Sequence, residues 1–288
     1  MVVSAPATDY QEPTPFPYGM TMSSTQLLTR ELNSPYAQPL FLTGAGISVA
    51  SGIAPFRGSD PDAVWNKDVL EMGTFRYFRS NPADQWRWYL ERFEACLTAE
   101  PNPGHDAIAG IESTLEASGR GCSVITQNVD GLHAKAGTKR LFEVHGSSRK
   151  MRCARNWCEF GSPNGTLPWD STLFEAFRKS HKLEDLPRCP ACLALLRPHV
   201  LWFDETYDSH KDYQHNAALE ALHAASCVVF VGTSFSVGIT EAAFWIRDTM
   251  GIPGFIVDPH LKQKVYADCH VIQEPSEVFL PTLCAALR

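Results

Sequence analysis

The sequence predicts an α/β protein: a Rossmann-like parallel sheet with helices on both faces, carrying a smaller zinc-binding domain. Three observations lead there. Short apolar runs rich in strand formers alternate with helical stretches. Several of these runs end in glycine or a small polar residue, the punctuation of strand ends that face a ligand. Four cysteines in two close pairs, Cys153/Cys158 and Cys189/Cys192, interrupt the alternation.

The strand runs, in order, are Pro39 to Thr43, Cys122 to Gln127, Leu141 to His145, Cys227 to Gly232, Gly254 to Asp258 and Ala267 to Ile272. They are near-continuously apolar, as parallel strands covered on both faces must be. A ligand is expected at their C-terminal ends, where Gly44 to Ser48, Gln127 to Asp130, His145, Gly232 to Ser234 and Asp258 all fall. Leu40-Phe41-Leu42-Thr43 running into Gly44-Ala45-Gly46 reads as a strand, a tight turn and a helix start, which aims backbone N–H groups at an anion. A dehydrogenase fingerprint would place a third glycine where Val49 stands, and no acid closes a second strand at the required distance, so hydride transfer loses its support.

Four regions follow. Residues 1–35, rich in Pro, Ser and Thr, read as a disordered or loosely packed tail. Residues 36–56, 101–150 and 198–288 form the sheet domain, and residues 57–100 a helical insertion lining the cleft. Residues 151–197 form the metal module. In the insertion, Phe75, Tyr77, Phe78, Trp86, Trp88, Tyr89 and Phe93 include i, i+3 and i+4 neighbours, so most are packing residues.

The 288 residues, 44% of them hydrophobic, suffice for one large and one small core, and a net charge of −7 argues against a surface built for direct contact with nucleic acid. No apolar run approaches the roughly twenty residues that span a bilayer. Nine cysteines, an odd number spread through apolar runs as well as the cluster, fit a reducing, intracellular setting. Asp9 and Glu12 in the tail are acids that a mitochondrial presequence avoids, which favours cytoplasm or nucleus.

The spacing C-x4-C, then C-x2-C about thirty residues on, gives two knuckles whose thiolates can close a tetrahedral shell around zinc. Four soft ligands leave no position for water, so the metal is expected to be structural.

Beyond these readings, the chain resembles the sirtuin (Sir2) family. The resemblance rests on Gly44-Ala45-Gly46-Ile47-Ser48 with Gly52-Ile53 and Phe56-Arg57-Gly58, then Thr126-Gln127-Asn128-Val129-Asp130-Gly131-Leu132-His133. Further on come Glu143-Val144-His145-Gly146, the paired cysteines, Arg197-Pro198-His199-Val200 with Phe203 and Glu205, and Gly232-Thr233-Ser234. These motifs run in the family's order from about Leu40 to Leu287, and the wording around Cys189 and Arg197 looks most like the branch holding mitochondrial desuccinylase-type and bacterial sirtuins.

The resemblance implies an NAD-dependent protein-lysine deacylase that takes an acyl-lysine protein or peptide and yields nicotinamide, free lysine and O-acyl-ADP-ribose. It assigns His145 as general base, for which an imidazole is suited near neutral pH. Asn128 and Asp130 would hold the ribose and the nicotinamide carboxamide, and Gln127 ribose hydroxyls. Gly44, Ala45 and Gly46 would cradle the phosphates, Arg57 would pair with phosphate or ribose, and Gly232, Thr233 and Ser234 would close the other side. Asp258 either accepts adenosine ribose hydroxyls or is a plain turn residue before Pro259, and Ser276 falls near the adenine. His133 is read as a packing or capping residue.

The substrate peptide is expected to add as a strand along Val200 to Glu205, with Val200, Trp202 and Phe203 among its contacts. Asp204 stands where the family usually has glycine, Ile239 where it usually has proline and Glu274 where glycine is common. A desuccinylase pocket needs a tyrosine and an arginine three residues apart to pair a buried carboxylate. Around Trp65 the chain offers Val64, Asn66, Lys67 and Asp68 instead, so an apolar pocket for acetyl or longer acyl groups, walled by Val64 and Trp65, is expected. Two other readings remain open on sequence: an NAD glycohydrolase or ADP-ribosyltransferase, and a non-enzymatic NAD-sensing module. The sequence does not fix the oligomeric state.

Overall fold

The computed structural model describes residues 22–54, 67–261 and 268–287. Arg57, Val64 and Trp65, and the first residue expected in the last strand, Ala267, lie outside them.

Six strands make the main sheet: β1 (Pro39–Thr43), β2 (Ser123–Thr126), β3 (Leu141–Glu143), β7 (Cys227–Val231), β8 (Gly254–Val257) and β9 (Cys269–Ile272). Their order is β3-β2-β1-β7-β8-β9, every pairing parallel. The chain therefore winds outward from β1 in one direction, returns and winds outward in the other from β7. The switch point falls between β1 and β7, where a doubly wound sheet opens a crevice.

Alternation within buried strands supplies two cores. Phe41, Val124, Val229, Val231, Phe255 and Val257 point to one face, against α1 (Ser24–Leu32), α5 (Pro103–Ala117) and α10 (Ser276–Ala285). Leu40, Leu42, Ile125, Val228, Phe230 and Ile256 point to the other, against α8 (His215–His223) and α9 (Gly238–Met250). Period-two side-chain direction thus turns one apolar run into two interfaces. Local signals fix the helix starts. Ser23 and Gln26 form a reciprocal capping box on α1, and Asn102 with His105 forms another on α5, where Pro103 takes the first helical position.

The third core belongs to the insertion and the cysteine module. It joins α2 (Lys67–Met72), α3 (Phe75–Ser80) and α4 (Pro82–Thr98) to a three-stranded antiparallel sheet, β5-β4-β6, made of β4 (Gly146–Cys153), β5 (Leu167–Pro168) and β6 (Leu196–Val200). The small helices α6 (Leu132–Lys135) and α7 (Glu175–Ser180) complete the set among the described residues. Phe78, Trp86, Tyr89 and Phe93 are buried with Met151, Phe174, Phe177 and Trp202, which makes the aromatic stretch chiefly a packing surface. Trp86 also donates its indole N–H to the Leu196 carbonyl at 2.9 Å, tying α4 to β6. β4 crosses the expected boundary at residue 150 and β6 the one at 197, and α1, with Leu28 and Leu32 fully buried, lies within residues 1–35, expected as a disordered or loosely packed tail.

Candidate functional site

The loops after β1 and β7 meet backbone to backbone. Gly46 N–H donates to the Gly232 carbonyl at 2.8 Å, and Gly44 N–H extends the β1–β7 ladder to the Val231 carbonyl at 3.0 Å. Residues Ala45–Ser51 then coil as a 3-10 helix rather than an α-helix, ending at Gly52 in the left-handed region. Gly44, Ala45 and Gly46 therefore lie on the switch point, with Thr233 and Ser234 across from them.

Beneath this loop lies a buried polar network. Asn128 donates both amide hydrogens, to the Gly44 carbonyl and to Ser48 Oγ, each at 3.1 Å. Ser48 passes its own proton to Asp130 Oδ2 at 2.8 Å, while Asp130 Oδ1 accepts the Leu132 amide at 2.9 Å. Burial raises the Asp130 pKa, opposed by those two hydrogen bonds and by Arg149. With its amide hydrogens spent, Asn128 keeps Oδ1 for a ligand donor. Gln127 donates Nε2 to Thr233 Oγ1 at 3.0 Å, joining the β2 end to the β7 end.

His145 sits just past β3. Its Nδ1 faces the Gln127 carbonyl at 2.8 Å and its Nε2 faces the Tyr207 hydroxyl at 3.1 Å. A carbonyl only accepts, so Nδ1 carries the proton and Nε2 is the basic atom. Burial pushes the His145 pKa down to about 4, against the raising effect of the Gln127 carbonyl, which keeps the ring neutral and able to take a proton. The adjacent Gly146 is held at φ +83°, and a Cβ there would lie 2.2 Å from the His199 carbonyl, so only glycine lets β4 leave His145 and pass so close to β6.

The expected peptide edge lies beside the base: Leu201 N–H donates to the His145 carbonyl at 2.8 Å, and Val200 pairs with Gly146. Phe203 is half exposed and donates its amide to the Gly73 carbonyl at 3.0 Å. Trp202, expected at the substrate, points inward instead, with the Arg197 guanidinium 3.3 Å from its ring centroid and Phe78 packed alongside. Asp204 caps α3, its carboxylate accepting the Phe75 and Arg76 amides at 2.7 and 3.0 Å. The charge is thereby spent on a helix start. Asp258 forms a turn through the His260 amide at 2.8 Å, and Ser276 is buried at the start of α10, near the Gly104 turn of α5.

Residues that sequence reasoning did not assign complete the site. Ser48 was visible only as part of a motif, yet its hydroxyl is the hub of the network. His105 faces it with Nε2 at 3.5 Å, and Asn102 braces the same loop through the Ile47 carbonyl at 2.8 Å. The Asn-Pro-x-His spacing of a capping box was the available signal for both. Tyr207, 62 positions from His145, had none.

In the module, the Cys153 and Cys192 sulfurs lie 3.4 Å apart and those of Cys158 and Cys189 3.6 Å, all four within 4.8 Å of one another. Tetrahedral zinc with bonds of about 2.3 Å requires sulfurs about 3.8 Å apart, so the donor set fits. Burial raises the Cys153 thiol, while the Ala194 amide draws Cys192 down to about 7. A bound zinc would hold all four as thiolates. His199, His210 and Asp212 also gather their donor atoms. There, however, Lys150 lies 3.2 Å from Asp212, and both His210 nitrogens are engaged by the Gly165 carbonyl and the Asp212 amide.

Sheet order, the paired glycine loops and the four-thiol module together define a doubly wound α/β protein with a crevice suited to a dinucleotide and a zinc-binding insertion. The chain belongs to the Sir2 family, whose sequence profile matches residues 44–238. It is 38% identical over 211 residues to "NAD-dependent deacetylase sir2E" of Dictyostelium discoideum, covering 70% of this chain and 60% of that one. It is 40% identical over 196 residues to "NAD-dependent protein deacylase sirtuin-5, mitochondrial" of the dog, Canis lupus familiaris, covering 65% and 62%. The chain thus spans about six tenths of the length of these curated relatives. Among solved structures, a Sir2 variant described with a deacetylated p53 peptide and 3'-O-acetyl ADP ribose superposes with a TM-score of 0.75 at 26% identity, over 93% of this chain and 100% of that one.

Proposed function

We propose that the protein is an NAD-dependent protein-lysine deacylase acting on acyl-lysine peptides, with free lysine, nicotinamide and O-acyl-ADP-ribose as products. The observation that carries this reading is the hydrogen bond from Leu201 N–H to the His145 carbonyl, which sets the expected peptide edge against a neutral imidazole at the mouth of the crevice. The named relatives and the p53-peptide structure support the same reading.

NAD supplies a ribose whose anomeric carbon exchanges nicotinamide for the acyl-amide oxygen. The Ala45 backbone amide, in a loop that Gly44 and Gly46 keep free of side chains, the Arg57 guanidinium, and Gly232, Thr233 and Ser234 would hold its phosphates and ribose. Asn128 Oδ1 and Asp130 orient the nicotinamide end, Gln127 its ribose hydroxyls, and Asp258 and Ser276 the adenosine end. His145 Nε2 takes a ribose hydroxyl proton. Val64, Val200, Trp202 and Phe203 bound the acyl-lysine segment, with Trp202 acting from behind as packing. Without the tyrosine and arginine pair, the acyl pocket favours acetyl or longer fatty acyl groups over succinyl.

We further assign the protein to the interior of the cell. Its cysteine usage supports this, and the tail acids Asp9 and Glu12 favour cytoplasm or nucleus, while the dog relative carries a mitochondrial name. Among the described residues no helix is long and apolar enough to cross a membrane.

The test is a panel of acetyl, myristoyl and succinyl peptides with NAD, read by mass spectrometry for free lysine and O-acyl-ADP-ribose. His145→Ala should lower turnover about 10²- to 10⁴-fold while leaving the fold intact. ADP-ribose formed without lysine release would overturn the reading.

A further inference from the structure

We infer that Tyr207 is a positioning residue for His145, its hydroxyl bonded to the basic Nε2 and its ring stacked on those of His145 and His215. The inference rests on the reading of His145 as the base. Three contacts carry it. The Tyr207 hydroxyl lies 3.1 Å from His145 Nε2. The two rings stack with centroids 5.7 Å apart and planes 23° apart, and Tyr207 is backed on its other side by His215, at 4.6 Å and 11°.

The proton inventory fixes the direction of each bond. The tyrosine's single proton goes to His145 Nε2, whose partner nitrogen has given its own proton to the Gln127 carbonyl. The imidazole is held at both nitrogens and stacked on the Tyr207 ring, so it stays aimed until an arriving ribose hydroxyl displaces the Tyr207 hydroxyl from Nε2.

A donor on Nε2 stabilises the neutral imidazole, and burial acts in the same sense. The titratable groups around the pair are His215 from α8, Asp208 from the turn that holds Tyr207, and Glu241 from the first turn of α9. On His145 itself, burial and the Gln127 carbonyl are the governing influences.

The experiment is a nitrogen-15 NMR titration of the His145 imidazole in the full chain, for the unmodified protein, Tyr207→Phe and Tyr207→Leu. The unmodified ring should show the Nδ1–H tautomer and titrate well below 6.5. Both variants should raise the His145 pKa by about half to one unit. Phenylalanine keeps the stacked ring and leucine removes it, so either variant serves if the other fails to fold. Where lysine release is measured, the acid limb of kcat/KM should move to higher pH by the same amount. Titration unchanged in both variants overturns the inference, whatever the activity. An unmodified protein that releases no lysine, with the NMR shift still present, overturns the deacylase reading and leaves the clamp standing.

Discussion

Gly46 and Gly232 pack backbone against backbone: a Cβ on Gly46 would lie 2.6 Å from Gly232 Cα, and a Cβ on Gly232 the same distance from Gly46 Cα. Gly232 is also held at φ +56°. The crevice therefore depends on two missing side chains, since any Cβ would push the β1 and β7 loops apart where phosphates are expected. Gly232→Ala should destabilise the fold by about 2 kcal/mol or more, from backbone strain plus the clash. It should also weaken NAD binding more than Gly119→Ala, a glycine with open space around it. Urea unfolding and calorimetric NAD titration of the two variants check this.

The four thiols hold together a module that has little regular structure between its strands. Removing zinc with a strong chelator should release about one metal per chain and lower the melting temperature, as should Cys189→Ser, because the shell stabilises the folded state directly. The main sheet has its own two cores, so a core helix such as α5 should keep its hydrogen-exchange protection longer than β4 and β6. Metal analysis with exchange mass spectrometry checks both. Equal loss of protection in the two regions would contradict the division of cores.

The main sheet was legible because its strands are apolar on both faces, and their C-terminal punctuation announced the crevice. The small sheet was not. β4 reads Gly146-Ser147-Ser148-Arg149-Lys150-Met151-Arg152-Cys153, and its charged residues look like a loop until Arg152 is seen buried in an ion pair formed across the fold. The inward packing of Trp202 was hidden for the same reason. Its place under the Arg197 guanidinium depends on Glu205, and no local pattern announces a buried triad. Asp204 read as a departure from a glycine position, and only the arrival of α3, well over a hundred residues earlier in the chain, gives its carboxylate two amides to cap. Local periodicity reveals elements; it does not reveal which polar groups will find partners.

Several histidines are buried deeply enough to stay neutral, and stability should follow their protonation. Burial lowers His105 to about 4 and His133 to about 3, the latter helped by His105, while His199 is driven lower still by burial and by Arg152. The unfolded chain binds protons at these residues near 6.5, whereas the folded chain does not until the pH is far lower. Their contribution is therefore fully present above about 6.5 and is lost as the pH falls toward 4. Each should cost up to about 1.4 kcal/mol per pH unit in that window. Urea midpoints between pH 7.5 and 4.5 should show this fall, and His105→Asn should flatten it.

Glu205 is the counter-ion to two buried guanidinium groups. Its carboxylate takes Arg197 at 2.6 and 2.9 Å and Arg152 at 2.7 Å, and the Trp202 amide adds a fourth donor at 3.1 Å. Both arginine side chains are only 2% exposed. Burial raises the Glu205 pKa, but the arginines outweigh it and hold the carboxyl ionised, below its ordinary value. Glu205→Gln keeps the shape and deletes the charge, leaving two cations facing each other in a core. It should cost about 3–5 kcal/mol in urea unfolding. Adding Arg152→Met removes one of the stranded charges, so the double variant should be more stable than the sum of the single losses predicts. Trp202 leans on the Arg197 guanidinium, so the peptide edge should loosen with the triad, and exchange protection at Leu201 should fall in Glu205→Gln and partly return in the double variant.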